Sequence, residues 1–299
     1  MRFLIGVDGS AASLDAVRMV ARMVDPAHHA VAIYFSPMEL EKRLIGRSRR
    51  IIDGAAAALF EEACGLLPGG FQQPVEMIAS SKSAAVGLLE AASGWRADML
   101  VVGARGHGSI ERLLLGSVSR AVVHGAHLPV LVVRHAPPTD RGPRVLVCHH
   151  AASAAAVAGT LGKLHWPAAT SGDVIGVTES MLAGPLPAWL EKRVRDPDTA
   201  AIAQAWQQEH DTEVAALGGQ LDAFQAALPA AFRGRKPILV EGNPGEQILA
   251  RAKADGTDLI VVGRTPSDTL SRWLLGSTSE AVLTQAAASV LVVPVEKAS

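Results

Sequence analysis

The sequence predicts a parallel α/β architecture built twice in one chain. Three observations carry that prediction. Short runs of valine, isoleucine and leucine without polar alternation recur along the chain, separated by helix-like stretches. Such runs suit strands buried on both faces and joined by helical crossovers. Secondly, the segment from Val101 to Arg134 realigns without a gap on Val261 to Pro294, 160 residues later, so one unit is written twice. Thirdly, the chain has 299 residues, 49% of them hydrophobic. That suffices for two cores in domains of about 150 residues each.

In the first half the expected strands are FLIGV (3–7), AVAIYF (30–35), VEMIA (75–79), MLVVG (99–103) and PVLVV (129–133). Helices are expected over 13–24, around 50–67, near 83–94 and near 117–126. In the second half the strands are VLVC (145–148), DVIGV (173–177), PILVE (237–241), LIVVG (259–263) and SVLVV (289–293). Strands separated by helices imply right-handed crossovers and a parallel sheet. The second half is longer between its second and third strands. Met181 to Ala188 is rich in proline and leucine, and 199–228 reads as one helix with Ile202, Trp206, Val214, Leu217 and Leu221 as its apolar positions. That helix packs on its own domain or offers a partner surface. HAPPTDRGP (135–143) joins the halves: three prolines and a glycine disfavour helix and strand interiors. The expected domains are 1–137 and 143–299.

Composition removes several function classes. The formal net charge is −1, which argues against nucleic-acid binding by broad phosphate neutralisation. Cys64 and Cys148 carry no pairing motif, so a disulfide or zinc framework is not expected. The start MRFLIGVDGS is too short in its apolar run for a signal peptide, with Asp8 following at once. No stretch reaches the roughly 18 apolar residues of a membrane span. A cytoplasmic protein is expected.

The chemistry concentrates behind the fourth strand. MLVVG ends at Gly103, a loop follows, and Gly116-Ser117 opens the next helix. In parallel α/β folds ligands bind beyond the carboxyl ends of the strands, and free amides at a helix N-terminus attract phosphate. Gly103, Gly106 and Gly116 let backbone approach a ligand, and Ser117 and Ser119 add hydroxyls. The plainer alternative is that Ser117 is a helix cap and the glycines are turn residues. Ser277-Thr278-Ser279-Glu280 likewise has the spacing of a capping box. No G-x-x-x-x-G-K-[ST] loop occurs, 103–119 holds no lysine, and the spacing is not that of a dinucleotide fingerprint.

Gly103-x-x-Gly106, nine residues, then Gly116-Ser117 resembles the nucleotide motif of the universal stress protein family. So do the early strand ending in GVDGS, the A-D-x-L-V-V-G before the motif and the H-L-P-V-L-V-V closing the half. The resemblance covers nearly the whole chain, as a tandem of two such domains. It implies two doubly wound domains with strand order 3-2-1-4-5, helices on both faces, pairing of the two domains through their fifth strands, and ATP as ligand. Carried over residue by residue, it implies Asp8 beside the ribose, the backbone around Phe35 at the adenine, and Val102 and Gly103 on the ribose side. Gly106, Gly116, Ser117, Val118 and Ser119 would cradle the phosphates. Mg²⁺ would enter only through the triphosphate.

The second half departs from that pattern. Gly263, Gly276, Ser277, Thr278 and Ser279 remain as candidates, but Pro266 stands where Gly106 would be and Cys148-His149-His150 where Gly-Val-Asp would be. Proline offers no N–H, and no carboxylate is supplied. ATP is therefore expected mainly in the first half, with a degenerate second site. The resemblance implies a nucleotide-dependent stress-response or regulatory protein. The alternatives are a nucleotide-independent interaction module of the same fold and an ATP-using enzyme. The second lacks support, because no triad, paired carboxylates or arginine finger is legible, and hydrolysis is expected to be slow and incidental. Whether the chain dimerises further is left open.

Other residues carry plainer readings. Adjacent His149 and His150 face opposite sides if they lie on a strand, so they cannot share a metal. His124 and His127 share a face if both lie on a helix, with no third ligand in view. Lys42, Arg43, Arg47, Arg49 and Arg50 form a basic run that is a solvated face or steers an anion. Met19, Met23 and Trp206 are expected in the core.

Overall fold

Alternation inside the apolar runs sorts the side chains onto two faces of one sheet. Phe3, Ile5 and Val7 enter one core while Leu4 between them enters the other, as the twofold period of a strand requires. The computed structural model describes residues 1–37, 49–106, 115–136, 138–178, 197–264 and 275–295. The first half runs β1 (Arg2–Gly6), α1 (Ala11–Ala21), β2 (Ala30–Phe35), α2 (Arg49–Gly65), β3 (Glu76–Ala79), α3 (Ala84–Gly94), β4 (Met99–Gly103), α4 (Ser117–Gly125) and β5 (Val130–Val133). The second runs β6 (Arg144–Cys148), α5 (Ala154–Gly162), β7 (Ser171–Thr178), α6 (Pro197–Ala227), a 3₁₀ turn (Ala230–Phe232), β8 (Ile238–Glu241), α7 (Pro244–Ala254), β9 (Leu259–Arg264), α8 (Ser277–Gln285) and β10 (Ser289–Pro294).

The strands form one ten-stranded sheet in the order β3-β2-β1-β4-β5-β10-β9-β6-β7-β8. Each half is parallel and keeps the expected 3-2-1-4-5 order. The halves join at a single antiparallel seam, where Val130, Leu131 and Val132 pair with Val292, Leu291 and Val290. Closing the seam removes two edge strands that would otherwise present unpaired backbone. Buried residues of α1, α5 and α6 pack on one face, and those of α3, α4, α7 and α8 on the other. Both cores run through the seam.

Helix starts follow local chemistry. Ser10 caps α1, its hydroxyl accepting from the Ser13 amide at 3.3 Å. Asn243 caps α7 by accepting from the Glu246 amide at 3.1 Å, with Pro244 in the first turn. The C-terminal part of α6 is buried through Leu221 and Phe224, whereas Val214 and Leu217 are half-buried, so the long helix packs on its own half. Trp206 is only half-buried there, unlike Met19 and Met23, which are core residues. Among the described residues no helix is long and apolar enough to cross a membrane.

The joint is held by specific polar contacts. Arg22, which caps the end of α1, donates to the carbonyls of Pro138 (2.8 Å) and Arg141 (3.0 Å). Arg141 in turn grips Asp258 with both terminal nitrogens, at 2.6 and 2.8 Å. On the same edge the His165 amide donates to the Met23 carbonyl (3.0 Å), and His29 Nε2 lies 3.1 Å from the Lys163 carbonyl. The Asp25 amide donates to His29 Nδ1 at 3.0 Å. One neutral tautomer satisfies both contacts, with Nδ1 accepting and Nε2–H donating.

Burial lowers the pKa of His29, helped by the N-terminal ammonium and by His28 and opposed by the Lys163 carbonyl and Asp25. A histidine with a depressed folded pKa binds its proton more readily when unfolded. Its contribution is intact above the ordinary value of about 6.5 and is lost as pH falls from there through the folded value. His149, also lowered by burial and by His150, acts with the same sign. Urea titrations from pH 7.5 to 5 are expected to show stability falling with pH, and His29→Gln to flatten part of that fall. An unchanged slope in the variant removes His29 from the account.

Candidate functional site

The site is assembled where β1 and β4 end. After Val7 the chain turns through Asp8, Gly9 and Ser10, and Gly9 takes the left-handed φ of 81° that favours glycine. Asp8 Oδ1 accepts from the Ser10 amide at 2.9 Å, and the Asp8 amide donates to Ser13 Oγ at 3.3 Å. Asp8 is therefore a turn residue, and the same bonds fix the direction of its exposed carboxylate.

Two glycines let the end of β4 and the loop after it close onto that turn. A Cβ on Gly103 would stand 2.7 Å from the Ala12 carbonyl carbon and 2.8 Å from the Ser13 nitrogen, so only glycine brings β4 against the start of α1. A Cβ on Gly106 would stand 2.6 Å from Asp8 Oδ2. The loop backbone at Gly106 thus lies against the Asp8 carboxylate. The Gly116 amide returns to β4 by donating to the Ala104 carbonyl at 2.8 Å.

Gly116, not Ser117, is the cap of α4, with φ −64° and ψ 152° and no side-chain capping bond. This corrects the cap reading of Ser117, which is the first residue of the helix and is exposed. The first backbone bond closing this turn runs from the Arg120 amide to the Gly116 carbonyl at 3.0 Å. The amides of Ser117, Val118 and Ser119 precede it and have no intrahelical acceptor. Ser119 is buried, and its hydroxyl donates to the Gly103 carbonyl at 2.6 Å. That bond ties the front of α4 to the end of β4. Val118 is exposed, while Phe35 and Val102 bury their side chains. What those last two offer a ligand is backbone at the ends of β2 and β4.

The second half repeats this frame without its carboxylate. Ser279 donates to the Gly263 carbonyl at 2.8 Å, and Gly276 caps α8 with φ −60° and ψ 153° and no side-chain bond. Ser277 is therefore not the cap, so the capping-box reading fails. Glu280 instead lies 3.5 Å from His124 of the first half. At the Asp8 position, His150 Nδ1 accepts from the Ala152 amide at 3.3 Å, an imidazole making the turn that the carboxylate makes in the first half. His149 packs its ring 5.2 Å from Phe224. Both histidines follow Cys148, the last residue of β6, so the strand geometry assumed for them does not apply. Likewise α4 ends at Gly125, which leaves His127 off the helix that carries His124.

Pro266, the stretch Met181 to Ala188 and Lys42, Arg43 and Arg47 of the basic run lie outside the described residues. Arg50 is exposed on the first turn of α2. Among the described residues no three histidine, cysteine, aspartate or glutamate side chains are placed to hold a metal. Sequence reasoning passed over Ser10 and Ser13, which lock Asp8, and over Arg134 and Arg264, which are 7% and 8% exposed. An arginine directly closing an apolar run was the available signal for the last two.

The chain matches the model described as Universal stress protein family over residues 1–134 and 185–294. A universal stress protein of Mycolicibacterium smegmatis is 29% identical over 197 residues, 66% of this chain and 62% of that protein. One of Mycobacterium tuberculosis is 29% identical over 199 residues, 65% of this chain and 58% of that protein. The chain thus spans somewhat less than two thirds of these relatives. The crystal structure of a universal stress protein from Archaeoglobus fulgidus aligns over 99% of this chain and 98% of its own, with TM-score 0.57 and 17% identity. A Pseudomonas aeruginosa structure aligns over 98% and 92%, with TM-score 0.62 and 16% identity. At these identities the two structures support the fold.

Proposed function

This chain belongs to the universal stress protein family, and we propose that its first half binds ATP as a cytoplasmic, nucleotide-dependent stress-response or regulatory protein. The observation that carries the reading is the front of α4. Among the described residues no side chain closes its leading amides, and the adjoining backbone is pared to glycine at the two points where a Cβ would strike Ala12 or Asp8. Amides in that position complement a phosphate group, and the helix dipole adds to them.

In this reading the amides of Ser117, Val118 and Ser119 and the backbone at Gly106 and Gly116 hold the triphosphate, the Asp8 carboxylate accepts from ribose hydroxyls, and backbone at Phe35, Val102 and Gly103 borders the nucleoside. Mg²⁺ would accompany ATP through the phosphates. The nucleotide acts as a bound signal rather than a consumed substrate. The second half, with His150 in place of the carboxylate, holds nucleotide weakly or not at all. That asymmetry rests on a change of chemistry, since an imidazole whose Nδ1 accepts from Ala152 has only its Nε2–H left to offer, a donor where Asp8 offers an acceptor.

Isothermal titration of the full chain with MgATP tests the reading. One site per chain is expected. Two equal sites would overturn the asymmetry, and a folded protein that takes up no nucleotide from millimolar MgATP would leave an interaction module.

A further inference from the structure

Two helices cross from one candidate site to the other. α4 starts at the first-half cradle and ends nine residues later against the second half. There Arg264, the last residue of β9, donates from Nη1 to the carbonyls of Ala126 (3.0 Å) and Val123 (3.3 Å) and from Nη2 to that of His124 (3.4 Å). These carbonyls belong to the end of the helix, where intrahelical donors run out. α8 is treated alike, with Arg134 at the end of β5 donating to the carbonyls of Leu283 (2.9 Å) and Thr284 (3.4 Å). Leu283 and Thr284 repeat Val123 and His124, but the two arginines do not repeat each other. Position 264 corresponds to Ala104 and position 134 to Pro294. Both guanidinium groups are buried deeply enough for desolvation to lower their pKa.

We infer that Arg264 is a positioning residue for the first-half nucleotide site: the second half holds the rear of the helix whose front carries the triphosphate. The inference rests on the ATP reading above. A planar guanidinium bonded to three carbonyls fixes direction as well as distance, and a cation at a helix C-terminus favours that end. α4 is about 13 Å long, so it moves as one piece and a shift at its rear displaces its leading amides. The nucleoside contacts, by contrast, belong to β1, β2 and β4. Loss of the clamp therefore acts on phosphate recognition and spares adenosine. A degenerate second half then has a use, since the first site is complete only in the tandem.

The test is isothermal titration of the full chain with ATP and, separately, with adenosine. Arg264→Met is expected to weaken ATP about tenfold, the effect of a displacement of the order of 1 Å on charge-assisted contacts, and adenosine less than about twofold. Arg264→Lys keeps the charge without the fork and is expected to lower the ATP-to-adenosine affinity ratio by about threefold. It decides the matter should the methionine variant fail to fold. Leu161→Ala empties a fully buried position of α5 on the other face of the sheet. It supplies destabilisation away from α4 and is expected to leave the ratio unchanged. A wild-type ratio in the Arg264 variants, or a parallel loss of both ligands that Leu161→Ala reproduces, overturns the inference alone. A wild-type chain that binds neither ligand overturns the nucleotide reading, and the inference falls with it.

Discussion

Gly116→Val is expected to abolish ATP binding by calorimetry, with affinity falling more than about 100-fold, while the protein still folds. The backbone at Gly116 has φ −64° and ψ 152°, a region that a β-branched residue adopts without strain. The first atom of the new side chain would stand 3.3 Å from the Ala104 carbonyl oxygen and 3.6 Å from the Arg105 Cα. That is tight, yet a small movement of the loop relieves it. Valine is a poorer cap than glycine, at a cost of about 1 kcal/mol, which lowers the melting temperature by a few degrees in a chain of this size. The ligand has no such freedom. The new Cβ would also stand 3.8 Å from Ser119 Oγ at the front of α4, and each charge-assisted bond to phosphate lost there is worth about 1.5–3 kcal/mol. Losing two gives the stated fall. A variant that binds ATP like the wild type would show that the phosphates are not held at the front of α4.

The inner strands of the sheet were readable because they are buried on both faces, unlike the edge strands β3 and β8. Buried runs such as MLVVG and SVLVV carry no polar interruption, and the repeat at 160 residues tied the two halves to one topology. Helix ends were less readable. Ser117 and Ser277 look like caps from composition, but a glycine one residue earlier has the extended conformation that a cap needs. The serines that matter, Ser119 and Ser279, lie inside the helices and reach back to strand carbonyls. Nothing in a one-dimensional pattern separates those uses of a hydroxyl. Gly103 and Gly106 were recognised as points of close backbone approach, but what approaches them was not: α1 at Gly103, the Asp8 carboxylate at Gly106. The roles of Arg134 and Arg264 were the least visible, because their acceptors lie about 140 to 150 residues away in the other half. The pairing of fifth strands came from family resemblance, and the seam observed between β5 and β10 bears it out.

Asp258→Ala is expected to cost about 3 kcal/mol of stability in urea unfolding, the scale for breaking a buried ion pair from one side. Asp98→Ala, at the matching position of the first half, is expected to cost about 1 kcal/mol or less. Each aspartate precedes the fourth strand of its half, and each accepts from the amide that opens the first strand. Asp98 accepts from Arg2 and Asp258 from Arg144, both at 2.8 Å. Their surroundings differ. Asp98 is exposed, so water replaces a lost acceptor. Asp258 is 4% exposed and is covered by the Arg141 guanidinium from the joint between the halves. Removing its carboxylate takes the acceptor from a part-buried amide and from two guanidinium nitrogens at once. Arg141 keeps about a third of its side chain in water, which holds the cost near the lower end of the range. A double-mutant cycle with Arg141→Ala separates the two parts: the coupling between Arg141 and Asp258 is expected at about 1–3 kcal/mol, with the remainder assigned to the Arg144 amide. Equal losses at positions 98 and 258 would show that the Arg141 contact from the joint adds nothing to the second half.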